Sequence, residues 1–297
     1  MTILVTGATG TVGRQVVEQL VKRGAHVRAL VRDASKAKLP AEVTLVQGDL
    51  LDVDSLRGAL GGVSTLFLLN AVVPDEFTQA LIALNLAREA GIERLVYLSV
   101  IHSDLYVNVP HFAGKFGVER MIEKMGFNAT ILRPAYFMNN DLTIKDVVLG
   151  YGVYPMPIGG KGLAMIDARD IGELAAIELL RREQAKGPLP LERINLVGPD
   201  ILTGTLAASI WSEVLGRKIA YGGDNTAGFE ENLRQFMPSC MSYAMRLMSE
   251  RFLTEGMIPE AGDVERLTTL LSRPLRSYRD FASEIAAGSE GERRERF

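Results

Sequence analysis

Through the first 135 positions, short apolar runs alternate with stretches whose apolar residues recur every three or four positions. The runs TILVT, HVRALV, VTLVQG, STLFLL, RLVYLS and NATILR predict strands. Between them the period predicts helices: one straight after TILVT, a short one opened by DVDSL, one over about Asp75 to Ala90, and one between RLVYLS and NATILR. The first helix carries Val12, Val16, Val17, Leu20 and Val21 on one face. Gly24, Gly91 and Gly126 follow three of these helices as C-terminal stops. Several runs are continuously apolar, as strands buried on both faces are. Their alternation with helices predicts a parallel sheet with right-handed crossovers, a doubly wound α/β (Rossmann) fold.

After ILRPAYFMNN the rhythm loosens, and the Gly and Pro crowded into GYGVYPMPIGGKG predict a loop and short strand between lobes. Regular structure resumes as a strand and then a helix in AMIDARDIGELAAIELL, and again in RINLVGP and LAASIWSEVLG. These shifts predict one α/β domain over residues 1–135, to which the chain returns at about 163–198. A smaller substrate-binding lobe with C-terminal helices takes up 136–297. Met237, Met241, Met245, Met248 and Phe252 share a helical face, read first as adaptable core packing and second as a substrate lid. The last ten residues, GSEGERRERF, are charged and aperiodic and are expected to fray.

Composition narrows the class. A chain of 297 residues, 47% apolar and 23% charged, suits one large α/β domain or one domain with a smaller lobe. With 33 basic against 36 acidic residues, the net charge of -3 gives no basic field, so nucleic acid is not an expected partner. A single cysteine, Cys240, rules out an intrachain disulfide, and His26, His102 and His111 form no ligand pattern, so no metal is expected. No apolar run approaches the roughly 18 residues of a membrane span, and the first strand begins at Thr2, which leaves no room for a signal peptide. These features point to a reducing cytoplasm.

The chemistry begins in MTILVTGATGTVGRQVVEQL. Glycine interrupts strands and helices alike, yet Gly7, Gly10 and Gly13 stand together at the first strand-to-helix junction. There, backbone N–H groups and the helix dipole face an anion, so the turn is the expected seat of a dinucleotide pyrophosphate. Gly7 would form the tight turn, Gly10 would clear space for the pyrophosphate, and Gly13 would let the helix pack on the strand. Thr9, Thr11 and Val12 complete the candidate cofactor turn.

The spacing Gly-x-x-Gly-x-x-Gly resembles that of the short-chain dehydrogenase/reductase superfamily, and GATGTVG is similar to its atypical NmrA-like branch. The resemblance runs on through VRALVRD, GDLLD, LVYLS, HFAGKFGVERMI, ATILRPAYFMNN, DARDIG and SRPLRSYRDFA. At the end of the second strand an acid would bond a ribose 2′-hydroxyl and a base would meet a 2′-phosphate. With the strand ending at Val31, Arg32 takes that position, and its planar fork suits NADP(H). The competing readings make Asp33 the ribose ligand, or Arg32 a cap of the sheet edge. The resemblance implies that Asp49 and Leu50 flank the adenine. Leu69 and Asn70, after the fourth strand, are expected to line the nicotinamide side.

Short-chain reductases usually carry Tyr-x-x-x-Lys on the helix after the fifth strand. By that resemblance the lysine is kept here as Lys115, while His111 stands where the tyrosine would be. Lys115 shares a helix face with His111 and would hold the cofactor ribose; its plainer reading is a solvated lysine. His111 is read either as a proton donor or as a capping or packing residue. Tyr136 and Tyr106 are substitutes for the missing phenol, provided the loop from His102 to Pro110 folds over the site. Ser99 would bond a substrate carbonyl or simply finish the sheet. Glu119 belongs to the family pattern, and its plainer reading is a surface helix charge. The resemblance implies an NADPH-dependent reductase of a planar quinone-like, activated aromatic or carbonyl substrate. A non-catalytic NADP(H) sensor acting through a protein partner is the alternative, an isomerase or dehydratase that recycles its cofactor is a third reading, and a homodimer is compatible with each.

Overall fold

A computed structural model describes the backbone of residues 1–294 and the side chains of residues 1–288. In chain order its elements are β1 (Ile3–Val5), α1 (Thr11–Lys22), β2 (Val27–Val31), β3 (Thr44–Gln47), α2 (Val53–Leu60), β4 (Thr65–Leu68), α3 (Glu76–Glu89), β5 (Arg94–Leu98), α4 (Pro110–Lys124) and β6 (Asn128–Pro134). There follow α5 (Lys145–Tyr151), β7 (Val153–Tyr154), α6 (Ala168–Gln184), β8 (Glu192–Leu196), α7 (Gly204–Leu215) and β9 (Ala220–Tyr221). The last helices are α8 (Thr226–Leu233), α9 (Ser239–Thr254), α10 (Asp263–Leu271) and α11 (Tyr278–Arg294). The chain divides into two compact units, Met1–Pro134 with Ala168–Leu196, and Ala135–Asp167 with Val197–Phe297.

The first unit holds a sheet in the order β3-β2-β1-β4-β5-β6-β8, with every neighbouring pair parallel. This is the doubly wound fold that the alternating runs predict. On one face, Leu66, Leu68, Leu95, Tyr97 and Ile131 of the strands pack with Leu56, Leu60, Leu84 and Ile122 of the helices. Helices α1 and α6 pack against each other so tightly that a Cβ added at Gly172 would sit 2.4 Å from Cβ of Gln15. Val16, Val17 and Leu20 of α1 are fully buried, each stabilising the fold by about 1.5–3 kcal/mol. Gly24, Gly91 and Gly126 stop their helices with φ of 73°, 73° and 67°, a backbone form in which glycine avoids a Cβ clash.

The second unit departs from the sequence reading in three places. The strand expected in AMID is only a set of isolated bridges, Leu163 to Leu202 and Met257, and Ile166 to Phe137. Leu163, Ala164, Met165 and Ile166 are all fully buried, so the apolar run reflects burial rather than membership of a sheet. Met237 precedes α9, leaving Met248 and Phe252 buried and Met241 and Met245 half-buried on the face assigned to packing. The tail expected to fray continues as α11 to Arg294, and its last three residues lie outside the described residues. No helix among the described residues is long and apolar enough to cross a membrane.

Asp141 anchors this unit. Its carboxylate is buried and accepts hydrogen bonds from the hydroxyls of Tyr154 (2.9 Å) and Tyr278, and Tyr278 in turn accepts one from Trp211 Nε1 at 3.0 Å. Burial raises the Asp141 carboxyl to about 6, against the opposing pull of the two tyrosines. A carboxyl raised on folding makes the native state bind the extra proton, so stability falls as pH rises from about 4 through about 6. The total is bounded at roughly 3 kcal/mol. Asp141→Asn removes the titration. The difference in Tm between variant and wild type should grow in the variant's favour through that window and then level off; a difference independent of pH would contradict the assignment.

Candidate functional site

The candidate cofactor turn is set by how β1 meets β4, the neighbouring strands at which the strand order reverses. Just past β1, the Thr6 hydroxyl lies 3.2 and 2.9 Å from the carbonyls of Phe67 and Leu69 and accepts the Leu69 N–H at 2.8 Å. It ties the two strand ends together. Gly7 then turns with φ of 61°, and a Cβ there would lie 2.9 Å from Leu69 Cγ. A Cβ at Gly13 would fall 2.1 Å from the Gly7 carbonyl oxygen, so the helix start rests directly on the turn. Gly10 differs: its φ is -80° and the nearest atom to an added Cβ is the Gly7 oxygen at 3.3 Å. Thus Gly7 and Gly13 serve the protein's own packing, while Gly10 stands exposed between Thr9 and Thr11. Gly10 is the N-cap of the twelve-residue α1, with no side chain among the described residues capping it and no acid in the first turn. An open set of N–H groups with no competing carboxylate fits a diphosphate.

The other candidates follow strands of the same sheet. Arg32 is exposed directly after β2. Asp33 is occupied by its own turn: its carboxylate accepts from Ser35 N–H (3.0 Å) and the Ser35 hydroxyl (2.6 Å) and pairs with Lys36 at 3.1 Å. Those bonds, the Ser35 hydroxyl first, hold its carboxyl below the usual range. Asp49 accepts the Leu51 N–H at 2.9 Å, and Leu50 packs partly against the core. Leu69 lies against the Gly7 turn. Asn70 is 3% exposed; its Nδ2 donates to Gln79 Oε1 at 3.4 Å, and among the described residues its Oδ1 has no partner.

Helix α4 presents the remaining groups. Lys115 is buried, not solvated: Nζ lies 2.5 Å from Glu76 Oε1, 3.4 Å from the Leu98 carbonyl and 5.8 Å from the centre of the Tyr97 ring. Burial pushes the Glu76 carboxyl up, with the Lys115 charge opposing it. One turn earlier, His111 meets Phe112 edge-on and its Nδ1 is buried without a partner among the described residues. Burial first, and the Lys115 charge second, lower its imidazole to about 4, so it is neutral at pH 7.

Ser99 and Glu119 correct each other's readings. The Ser99 hydroxyl donates to Glu119 at 2.6 Å, and Glu119, with no exposure at all, also takes Ser103 (3.2 Å), Arg133 Nε (3.0 Å) and Arg133 Nη2 (2.6 Å). Glu119 is therefore the hub of a buried network rather than a surface charge, and Ser99 is bound into it. Tyr106 is fully buried, stacked on Phe112 at 5.3 Å, so its loop folds inward. Tyr136, in the second unit, meets Phe252 edge-on at 5.9 Å, and burial keeps its phenol well above the ordinary value, hence protonated. Sequence reasoning missed Glu76, Thr6 and Arg133. Glu76 reads as an ordinary first-turn helix acid, and nothing local marks it as buried.

A model of the NmrA-like family matches residues 1–282. The NAD(P)H azoreductase of Xenophilus azovorans is 30% identical over 290 residues, covering 96% of this chain and 98% of that protein. Quinone oxidoreductase 2 of Escherichia coli is 28% identical over 240 residues, 78% of this chain and 81% of that one. The crystal structure of the Escherichia coli NADPH-dependent quinone oxidoreductase with NADPH superposes with a TM-score of 0.83 at 25% identity, covering 96% of this chain and 99% of that chain.

Proposed function

The chain belongs to the NmrA-like family, and from that premise we propose that it is an NADPH-dependent reductase of quinone-like or activated aromatic acceptors. The observation that carries the reading is the state of the pair on α4: the lysine is present and buried against a carboxylate, while the residue one turn before it is a neutral imidazole. Such a site holds a cofactor but offers no strong acid at His111. A quinone suits it, because addition of hydride leaves a stabilised phenolate that takes its proton from water, whereas an isolated carbonyl would leave an alkoxide needing a protein donor. The names of the relatives, an azoreductase and a quinone oxidoreductase, support the same class.

When bound, NADPH supplies the hydride. The turn from Gly7 to Gly13, with Thr9, Thr11 and Val12, binds the pyrophosphate; Arg32 takes the 2′-phosphate; Asp49 and Leu50 flank the adenine; Leu69 and Asn70 face the nicotinamide. Lys115 orients the nicotinamide ribose. Ser99 acts by holding Glu119. The exposed Cys240 suits a reducing compartment, and the proposal places the protein in the cytoplasm.

Cofactor choice tests the assignment of Arg32. Arg32→Ala is expected to weaken NADPH by about 1.5–3 kcal/mol, the worth of a charge-assisted contact, and to leave NADH nearly unchanged. Fluorescence titration of both cofactors measures it. Equal losses would make Arg32 a structural residue, and a wild type that prefers NADH would move the ribose contact to Asp33.

A further inference from the structure

We propose that Glu76 is the positioning residue of this site, holding the Lys115 ammonium in place so that one of its N–H groups is left for a cofactor hydroxyl. The inference rests on the cofactor-binding reading above. Lys115 rises from the middle of α4 and is only 7% exposed, so water does not hold its charge. Two groups from other elements do. Glu76 Oε1, on the first turn of α3, faces the ammonium at 2.5 Å, and the Leu98 carbonyl, at the end of β5, faces it at 3.4 Å. An ammonium has three N–H groups, so at least one remains after these two contacts. The Tyr97 ring below completes the seat.

The surroundings are unusual in the direction a ligand site requires. Asn70 Oδ1, Glu76 Oε2 and His111 Nδ1 are all buried polar atoms without a hydrogen-bond partner among the described residues. All three belong to residues on strand ends or helices of the first unit, and the Lys115 charge acts on both Glu76 and His111. Native folds rarely leave such atoms unpaired, since each costs about 1–3 kcal/mol. A sugar hydroxyl is the complementary group, because it accepts one hydrogen bond and donates another. The lysine N–H would meet its oxygen, and an open acceptor would take its proton.

Glu76 is placed to do this only through Lys115. A buried ammonium that loses its counter-ion turns toward water, and a lysine has the rotatable stem to do so. The carboxylate therefore decides where the ammonium stands before any ligand arrives, which is pre-organisation of the kind that lowers the cost of binding.

A double-mutant cycle on the full chain reads this without any turnover. The affinity for NADPH is measured by fluorescence titration in wild type, Glu76→Gln, Lys115→Met and the double variant, with circular dichroism confirming that each is folded. Glu76→Gln should weaken NADPH about tenfold when Lys115 is present and by less than about twofold when Met replaces it. Lys115→Met, which leaves a buried carboxylate alone, should lower Tm, and adding Glu76→Gln should restore part of the loss. A loss of affinity equal in the two backgrounds, or absent from both, overturns the proposal. If NADPH binds and the cycle couples but no acceptor is reduced, Glu76 keeps its role and the reductase reading fails. If wild type does not bind NADPH at all, both fail.

Discussion

The Gly10→Val variant is expected to fold as the wild type does and to lose NADPH affinity by on the order of 10²-fold or more. The three glycines of the turn do different work, and the geometry separates them. At Gly13 any side chain would strike the Gly7 backbone, with only 2.1 Å to the oxygen, so a substitution there damages the fold and says little about a ligand. At Gly7 the positive φ of 61° and the contact with Leu69 pose the same difficulty. At Gly10 the backbone is in a region open to any residue, and the one neighbour of an added Cβ, the Gly7 oxygen, lies at 3.3 Å, far less crowded than at Gly7 or Gly13. A valine there fills space the protein itself does not use. Two lost charge-assisted bonds to a diphosphate, at about 1.5–3 kcal/mol each, amount to roughly 3–6 kcal/mol, which sets the expected loss. Thermal unfolding checks the fold and fluorescence titration the affinity. A folded variant with full affinity would remove the pyrophosphate from this turn.

Lys115→Ala should be the most damaging change to turnover, and His111→Ala among the mildest. The lysine is proposed to fix the nicotinamide ribose, and a hydride donor displaced by about 1 Å loses on the order of 10²-fold in rate. Removing it also strands the buried Glu76, so rates must be taken per folded protein. The imidazole of His111, lowered to about 4, is uncharged at neutral pH and its one ring N–H is far too weak an acid to give a proton, so its loss should cost only a few-fold. Steady-state kinetics of the two variants with a quinone and NADPH decide the matter. A rate abolished by His111→Ala and indifferent to Lys115→Ala would leave a reductase standing with its parts reassigned.

Most of the first unit was legible in the chain because its central strands are buried on both faces. Runs such as LVYL and TLFL can be nothing but core, and Arg32 fell after β2 because the apolar run stops at Val31. The turn of three glycines was legible because each residue answers to local geometry. Legibility failed where a partner comes from far along the chain. Glu76 and Lys115 are 39 positions apart, and only the packing of α3 beside α4 makes one the counter-ion of the other. Glu119 lies on a helix whose sequence shows ordinary charges, yet β6 supplies Arg133 and the end of β5 supplies Ser99, which together draw it into the interior. In the second unit AMID read as a strand because burial and strand pairing leave the same apolar signature, and Asp141 gave no sign of Tyr278, 137 residues away.

The central claim, that this chain reduces quinone-like acceptors with NADPH, is tested most directly by following NADPH oxidation by the wild-type protein against a panel of benzoquinones, naphthoquinones and anthraquinones. Saturable oxidation of NADPH that yields the hydroquinone, faster with NADPH than with NADH, is the predicted result. Tight NADPH binding with no turnover of any member would contradict it and make the protein a cofactor sensor that acts through a protein partner.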